Sequence, residues 1–193
     1  MKNLIFNFCY ILGLFVTLII RIIYSRYHKK SNMQGNKIFA LDVSLIILTG
    51  IGMFIFPVLY IFFSWFTFTD YHIPDAFGGV GLVIFIIGII LLWKAHKDIG
   101  SNWTPTLQVR ENQTLVTHGT YRYIRHPMYA AHLLWGIAQP LLLHNWIAGF
   151  STLILILPSF MYRIPREEKM MLEFFGKKYQ LYMNQTGRIF PRF

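Results

Sequence analysis

The chain has 193 residues, of which 55% are hydrophobic and 13% charged, and a formal net charge of +10. That apolar content excludes an ordinary soluble domain and points to a membrane protein. The basic residues sit between and after apolar spans rather than on one polar face, so positive-inside topology explains them and no nucleic acid is expected as a partner.

The first apolar window, Leu4 to Ile20, carries no charge and extends to Tyr24 with Arg21 as its only exception. It is long enough to cross a hydrocarbon core of about 30 Å. A cleaved signal peptide fits poorly, because the run is too long and no small-residue cleavage site follows. The single cysteine, Cys9, lies inside this run, which excludes an intrachain disulfide and suits a small buried hydrophobe. A second span is expected from about Phe39 to Phe68, kinked at Pro57, with Asp42 near its start either capping it or facing the interior. A third runs from about Phe77 to Trp93 and continues as helix to Asp98. Gly78, Gly79 and Gly81 at its mouth suit close helix packing.

A polar segment follows from Gly100 to Arg125, in which Thr106 to Val109 suit a short extended stretch. Two shorter apolar runs, Met128–Leu143 and Trp146–Tyr162, are broken at His144-Asn145 and read as a helical hairpin. The polar tail from Pro165 starts as an amphipathic helix, with Met171, Phe174, Phe175, Tyr179 and Tyr182 at helical spacing. Pro165 suits a first helical turn there, and Glu167 and Glu168 would lie near the positive end of the helix dipole. The whole is expected to be one all-α membrane domain over residues 1–193. Residues 1–99 supply three spans, and 100–193 carry the hairpin that brings the total to about five, the cytoplasmic segment and the amphipathic helix.

Lysine and arginine set the orientation. The first loop carries Arg26, Lys29, Lys30 and Lys37, while the second, around Asp70 and Asp75, carries none. The first loop, the polar segment and the tail are therefore expected in the cytoplasm, with the N-terminus outside. This topology puts Arg125-His126-Pro127-Met128-Tyr129, Arg163 and Glu167-Glu168 on one side, at the cytoplasmic ends of consecutive helices. Titratable groups at membrane depth are expensive and default to a functional role. Taken singly, Arg125 reads as a snorkelling interfacial anchor and Pro127 as a helix opener.

Other chemistries fit less well. His96, His118, His126, His132 and His144 include no tight ligand pair with a neighbouring carboxylate or cysteine, so no metal is expected. There is no phosphate-cradling loop and no serine or cysteine in the setting of an activated nucleophile. The pattern suits a small zwitterionic cofactor bound beside the bilayer.

These residues resemble the isoprenylcysteine carboxyl methyltransferases. The resemblance is carried by Gly100-Ser101-Asn102-Trp103, Leu115 to Tyr121 and Arg125 to Tyr129. It continues through Arg163 to Glu168, Phe174-Phe175-Gly176, Tyr179, Tyr182, Arg188 and Pro191, and so covers roughly the last half of the chain. It implies S-adenosylmethionine in a cytoplasm-facing pocket, leaving as S-adenosylhomocysteine. Gln108, Gln113, Thr114, Leu115 and Val116 would line that cofactor, largely through backbone, and Tyr121, His126, Pro127, Met128 and Tyr129 would continue the wall. Glu167 would meet the cofactor, and Arg163 would hold a substrate carboxylate. The acceptor is expected to be lipophilic and to arrive from the bilayer, an isoprenylcysteine-like thioether carboxylate first and a phospholipid amine second. Outside the enzyme class, a catalytically silent membrane binding or scaffold protein is the remaining reading. Two departures stand out. Ala131 replaces a glycine frequent in the family, and the chain has few spans before the shared region, which makes a prokaryotic plasma membrane the expected home.

Overall fold

A computed structural model describes residues 4–26, 40–104, 106–107 and 113–192. Among them helix is the predominant structure, with isolated bridges but no strand. Four stretches are long and apolar enough to cross a bilayer: Leu4–Ser25, Ala40–Phe63, Asp75–Asn102 and Trp146–Phe175. The chain is an all-α multi-pass membrane protein. Large apolar side chains turn outward along these helices, Leu4 and Phe8 on the first and Ile154 on the last among them, as a lipid-facing surface requires.

Helix α1 spans Leu4–Arg26. The second span is divided into α2, Ala40–Gly50, a π-helical turn, Ile51–Ile55, and α3, Phe56–Phe63. The cause lies two residues beyond the turn. Pro57 has no N–H, so the carbonyl of Met53 loses its helical donor, and Phe56 bonds back to Ile51 rather than Gly52. Both freed carbonyls are satisfied from other helices. The Tyr10 hydroxyl donates to Met53 O at 2.8 Å, while Ser151 Oγ and Gln139 Nε2 donate to Gly52 O at 2.8 and 3.2 Å. The expected Pro57 kink is thus a π turn cross-linked to the hairpin.

Helix α4, Asp75–Ile99, packs along α5, Pro127–Leu143, through small residues. A Cβ on Gly81 would lie 2.7 Å from the Leu141 Cβ, and one on Gly88 would lie 3.2 Å from the Ala131 carbonyl. Ala131 is itself 2% exposed, so alanine is accommodated at this contact by glycine on the facing helix. Tyr10, Phe85 and Trp135 interlock at the centre. The Phe85 and Trp135 rings meet edge-on at 4.5 Å, an arrangement worth about 0.5–1.5 kcal/mol beyond burial.

Helix α5 and α6, Trp146–Phe175, form the expected hairpin, turned by His144 in the left-handed region and capped by Asn145, whose side chain accepts from the Ala148 N–H at 2.7 Å. At 17 residues α5 is about 26 Å long, shorter than the hydrocarbon core. The tail departs from expectation. Helix α6 runs unbroken for 30 residues through Pro158 and Pro165, so no new helix starts at Pro165, and Glu167 and Glu168 lie in a helix interior rather than at a positive dipole end. Neighbouring helices let a membrane helix tolerate the missing donors. The break comes at Gly176, with φ +56°, before α7, Lys177–Gln185. The expected extended stretch from Thr106 to Val109 is not seen where it is described, since Thr106 and Leu107 form bends; Val109 lies outside the described residues.

Candidate functional site

A cavity of about 270 Å³ opens where the C-terminal ends of α1, α2 and α4, the π turn after α2, the start of α5 and the middle of α6 meet. Its apolar wall comes from Ile46, Met53 and Phe54 around the π turn and from Ile156 and Phe160 on α6. Its polar wall comes from residues 113–116, Tyr121, the 125–129 run, Arg163 and Glu167. Of the residues expected at a cofactor site, Gln113, Thr114, Leu115, Val116, Tyr121, His126, Pro127, Met128, Tyr129 and Glu167 all line this one cavity, as does Arg163. Gln108 lies outside the described residues.

Each is positioned by a local cause. Residues 113–117 lie outside helix and strand and are fastened to the end of α4 by Asn102. Its Oδ1 accepts from the Thr114 N–H at 2.9 Å, and its Nδ2 donates to Thr114 Oγ1 at 3.1 Å. Asp98 caps the short turn at Gly119–Arg122 through the Thr120 N–H, 2.7 Å, and Thr120 Oγ1, 2.8 Å. Gly119 has φ +59°, and a Cβ there would lie 2.3 Å from the Asp98 carboxylate. That turn presents Tyr121, whose carbonyl accepts from the Tyr182 hydroxyl at 2.6 Å. Burial pushes the Tyr182 phenol up to about 12 and raises those of Tyr121 and Tyr179 as well, so all three remain neutral hydroxyls near neutral pH.

The reactive-looking groups form one chain. The Tyr129 hydroxyl donates to Glu167 Oε2 at 3.0 Å and accepts from Arg163 Nε at 3.1 Å. Arg163 Nη1 pairs with Asp42 at 2.8 Å, and Asp42 also accepts from the Leu107 N–H at 3.3 Å. Asp42, 2% exposed, is therefore no helix cap; it faces the interior and holds Arg163. The Glu167 side chain keeps 33% exposure beside this chain, with His126 Nδ1 3.9 Å away.

A second cluster lies behind the wall. Glu168, 4% exposed, accepts from Arg125 Nε and Nη2, both at 3.1 Å, from both Nε and Nη2 of Arg188, and faces His126 Nε2 at 3.4 Å. Arg125 Nη1 also donates to the carbonyls of Met183, at 3.0 Å, and Thr186. Arg125 is thus not an interfacial anchor: its side chain is 8% exposed and knots the tail to the start of α5. The backbone repeats the connection, with the Arg125 and His126 N–H groups donating to the Gly187 and Arg188 carbonyls at 2.9 and 3.0 Å. The arrangement separates two adjacent glutamates. Glu167 faces the cavity, and Glu168 is spent on structure.

Sequence reasoning did not place Asp42, Arg21 or His132 at the site. All three are polar groups inside apolar runs, and that was the available signal. Arg21 and His132 line the cavity and contact each other, Nη2 to Nε2, at 2.5 Å.

Several known proteins resemble this chain. The family model described as the isoprenylcysteine carboxyl methyltransferase (ICMT) family matches residues 80–173. The chain is 34% identical over 113 residues to protein-S-isoprenylcysteine O-methyltransferase A of Arabidopsis thaliana, covering 58% of this chain and 57% of that protein. It is also 34% identical over 113 residues to the Homo sapiens protein-S-isoprenylcysteine O-methyltransferase, covering 58% and 40%. A solved structure, the eukaryotic intramembrane Ras methyltransferase ICMT, superposes with a TM-score of 0.53 at 30% identity, covering 77% of this chain and 50% of that one. The chain spans about half the length of these relatives.

Proposed function

We propose that this chain, which from residue 80 to residue 173 belongs to the isoprenylcysteine carboxyl methyltransferase family, methylates the carboxylate of a lipophilic acceptor using S-adenosylmethionine. One observation carries the reading: a single cavity has a polar wall with one outward-facing carboxylate, Glu167, and an apolar wall formed by the π turn of α2 and the face of α6.

The residues fit the cofactor. Glu167 is the carboxylate that faces the cavity and remains partly exposed, suited to a ligand ammonium or ribose hydroxyls, and residues 113–116 offer backbone groups outside helix and strand. His126, Pro127, Met128, Tyr129 and Tyr121 continue that wall. When bound, S-adenosylmethionine supplies a methyl group activated on a sulfonium. A carboxylate acceptor is already ionised at neutral pH, so the protein needs no general base. Its work is to orient two reactants in line and to exclude water. Arg163, fixed at Nε and Nη1 by Tyr129 and Asp42, supplies positive charge at the acceptor end, and Glu168, already bonded by two arginines, is unsuited to proton abstraction. The density of lysine and arginine on this side supports a cytoplasm-facing site, and the lipid-exposed apolar helices support an acceptor arriving from the bilayer.

The test is radiolabelled methyl transfer by the detergent-solubilised chain to a farnesylcysteine analogue and, in parallel, to phosphatidylethanolamine. Base-labile volatile label on the farnesyl compound is the expected result. Stable label in the phospholipid would reassign the reaction to an amine. No transfer, together with no heat on titrating S-adenosylhomocysteine, would make the chain a silent binding or scaffold protein.

A further inference from the structure

Arg21 is the one charge within the first apolar run, and its guanidinium turns inward. It lines the cavity, and its Nη2 lies 2.5 Å from Nε2 of His132 on α5. The other ring nitrogen of His132, Nδ1, is 2.5 Å from the Met128 carbonyl, which can only accept. His132 therefore carries its proton on Nδ1 and accepts from Arg21 at Nε2. The partner of Arg21 is thus a neutral ring, not an anion. Arg21 Nε is buried without a hydrogen-bond partner, and none of the ion pairs among the described residues includes Arg21.

The other charges around the cavity are accounted for. Arg125 is matched by Glu168, Arg163 by Asp42, and Glu167 receives the Tyr129 hydroxyl. A guanidinium at membrane depth is expensive unless paired or placed toward a polar cavity. An arginine near a helix end ordinarily snorkels outward to the interface. This one reaches across to α5 instead, to the turn that follows the Arg125–Tyr129 run. Its uncompensated positive charge adjoins the space where the acceptor would lie, close to Arg163, which adds like charge rather than neutralising it.

We propose that Arg21 is a specificity-determining residue that receives the anionic end of the methyl acceptor, so that the site selects carboxylates over neutral or cationic head groups. This inference rests on the reading of the cavity given under Proposed function. Arg163, already held by Asp42 and Tyr129, then contributes field and orientation, while Arg21 offers the cavity-facing part of its guanidinium to the ligand.

Titration calorimetry in detergent, with N-acetyl-S-farnesylcysteine and its methyl ester as probes, tests the proposal. The wild type is expected to bind the acid at least tenfold more tightly than the ester. Arg21→Gln is expected to lower acid affinity at least tenfold while leaving ester and S-adenosylhomocysteine affinities within twofold. Should Arg21→Gln fail to fold, Arg21→Lys keeps the charge without the fork, and its acid affinity is expected to fall several-fold with the ester unchanged. Equal losses for acid and ester, or no loss for either, would overturn the role of Arg21 while wild-type methyl transfer to the farnesyl acid kept the broader reading intact. Absence of that transfer in the wild type would overturn the broader reading, and the role of Arg21 with it.

Discussion

Arg163 Nη1 lies 2.8 Å from Oδ1 of Asp42, tying the middle of α6 to the start of α2. The two side chains are 11% and 3% exposed, so neither has water to fall back on. Removing one partner of a buried pair costs about 3–5 kcal/mol, whereas removing both is often close to neutral. Asp42→Asn is therefore expected to lower the melting temperature in detergent more than the double variant with Arg163→Gln does. A double-mutant cycle should return a coupling of about 1 kcal/mol or more. Strictly additive effects would mean that the pair contributes no mutual stabilisation.

Glu168 governs a different property, the attachment of the tail. Four arginine N–H donors converge on it from Arg125 and Arg188, the latter carried by the segment after α7, and this pairing raises the Arg188 guanidinium above its ordinary value. Glu168→Gln leaves two guanidinium groups around a neutral amide. Hydrogen exchange should then quicken at the amides of Arg125 and His126, which donate to the Gly187 and Arg188 carbonyls. Exchange in the middle of α4 should stay unchanged. Protection at Arg125 and His126 equal to that of the wild type would show that the backbone bonds hold the tail unaided.

These two pairs mark the limit of what the sequence discloses. Apolar run length located α1, α4, α5 and the start of α6 to within a few residues, because a bilayer imposes length and composition directly. The positions of Arg125, Glu167 and Glu168 were legible, but their division of labour was not. Adjacent residues on a helix point about 100° apart, and only the packed neighbours decide that Glu168 turns toward Arg125 while Glu167 turns toward the cavity. Pro165 misled for a related reason. The first-turn preference of proline is a local rule, and the continuity of α6 is supplied by surrounding helices. The π turn was equally hidden, since its cause at Pro57 is local but its cure comes from Tyr10, Gln139 and Ser151, far away in the chain.

That cure makes a prediction about Tyr10. Its hydroxyl donates to Met53 O at 2.8 Å and accepts from Trp135 Nε1 at 3.2 Å, while its ring stacks on Phe85 at 5.3 Å. Tyr10→Phe keeps the ring and removes the hydroxyl, leaving a buried carbonyl that Pro57 cannot satisfy. A loss of about 1–3 kcal/mol is expected in reversible unfolding. Adding Pro57→Ala restores a backbone donor one turn below that carbonyl, and should recover part of the loss. A pair that loses as much as Tyr10→Phe alone would remove Pro57 as the cause of the π turn.

Gly50 offers a separate handle on the apolar wall. It lines the cavity at the end of α2, in ordinary right-handed helical conformation, and a Cβ built there meets nothing within 4 Å. A larger residue at this position therefore needs no backbone change and extends into open cavity beside Ile46 and Phe54. The wall proposed for the cofactor, from Gln113 to Val116 and at Glu167, comes from other elements. Gly50→Leu is accordingly expected to fold with wild-type or slightly higher stability, since leucine is the better helix former by several tenths of a kcal/mol. The KM for a farnesyl acceptor should rise about tenfold or more, with S-adenosylhomocysteine affinity within twofold of the wild type. A geranyl acceptor, one isoprene unit shorter, should be penalised less than the farnesyl one if leucine shortens the acceptor channel. Equal penalties on both would place Gly50 beside the shared head group instead, and loss of cofactor affinity would show that the two walls are not independent.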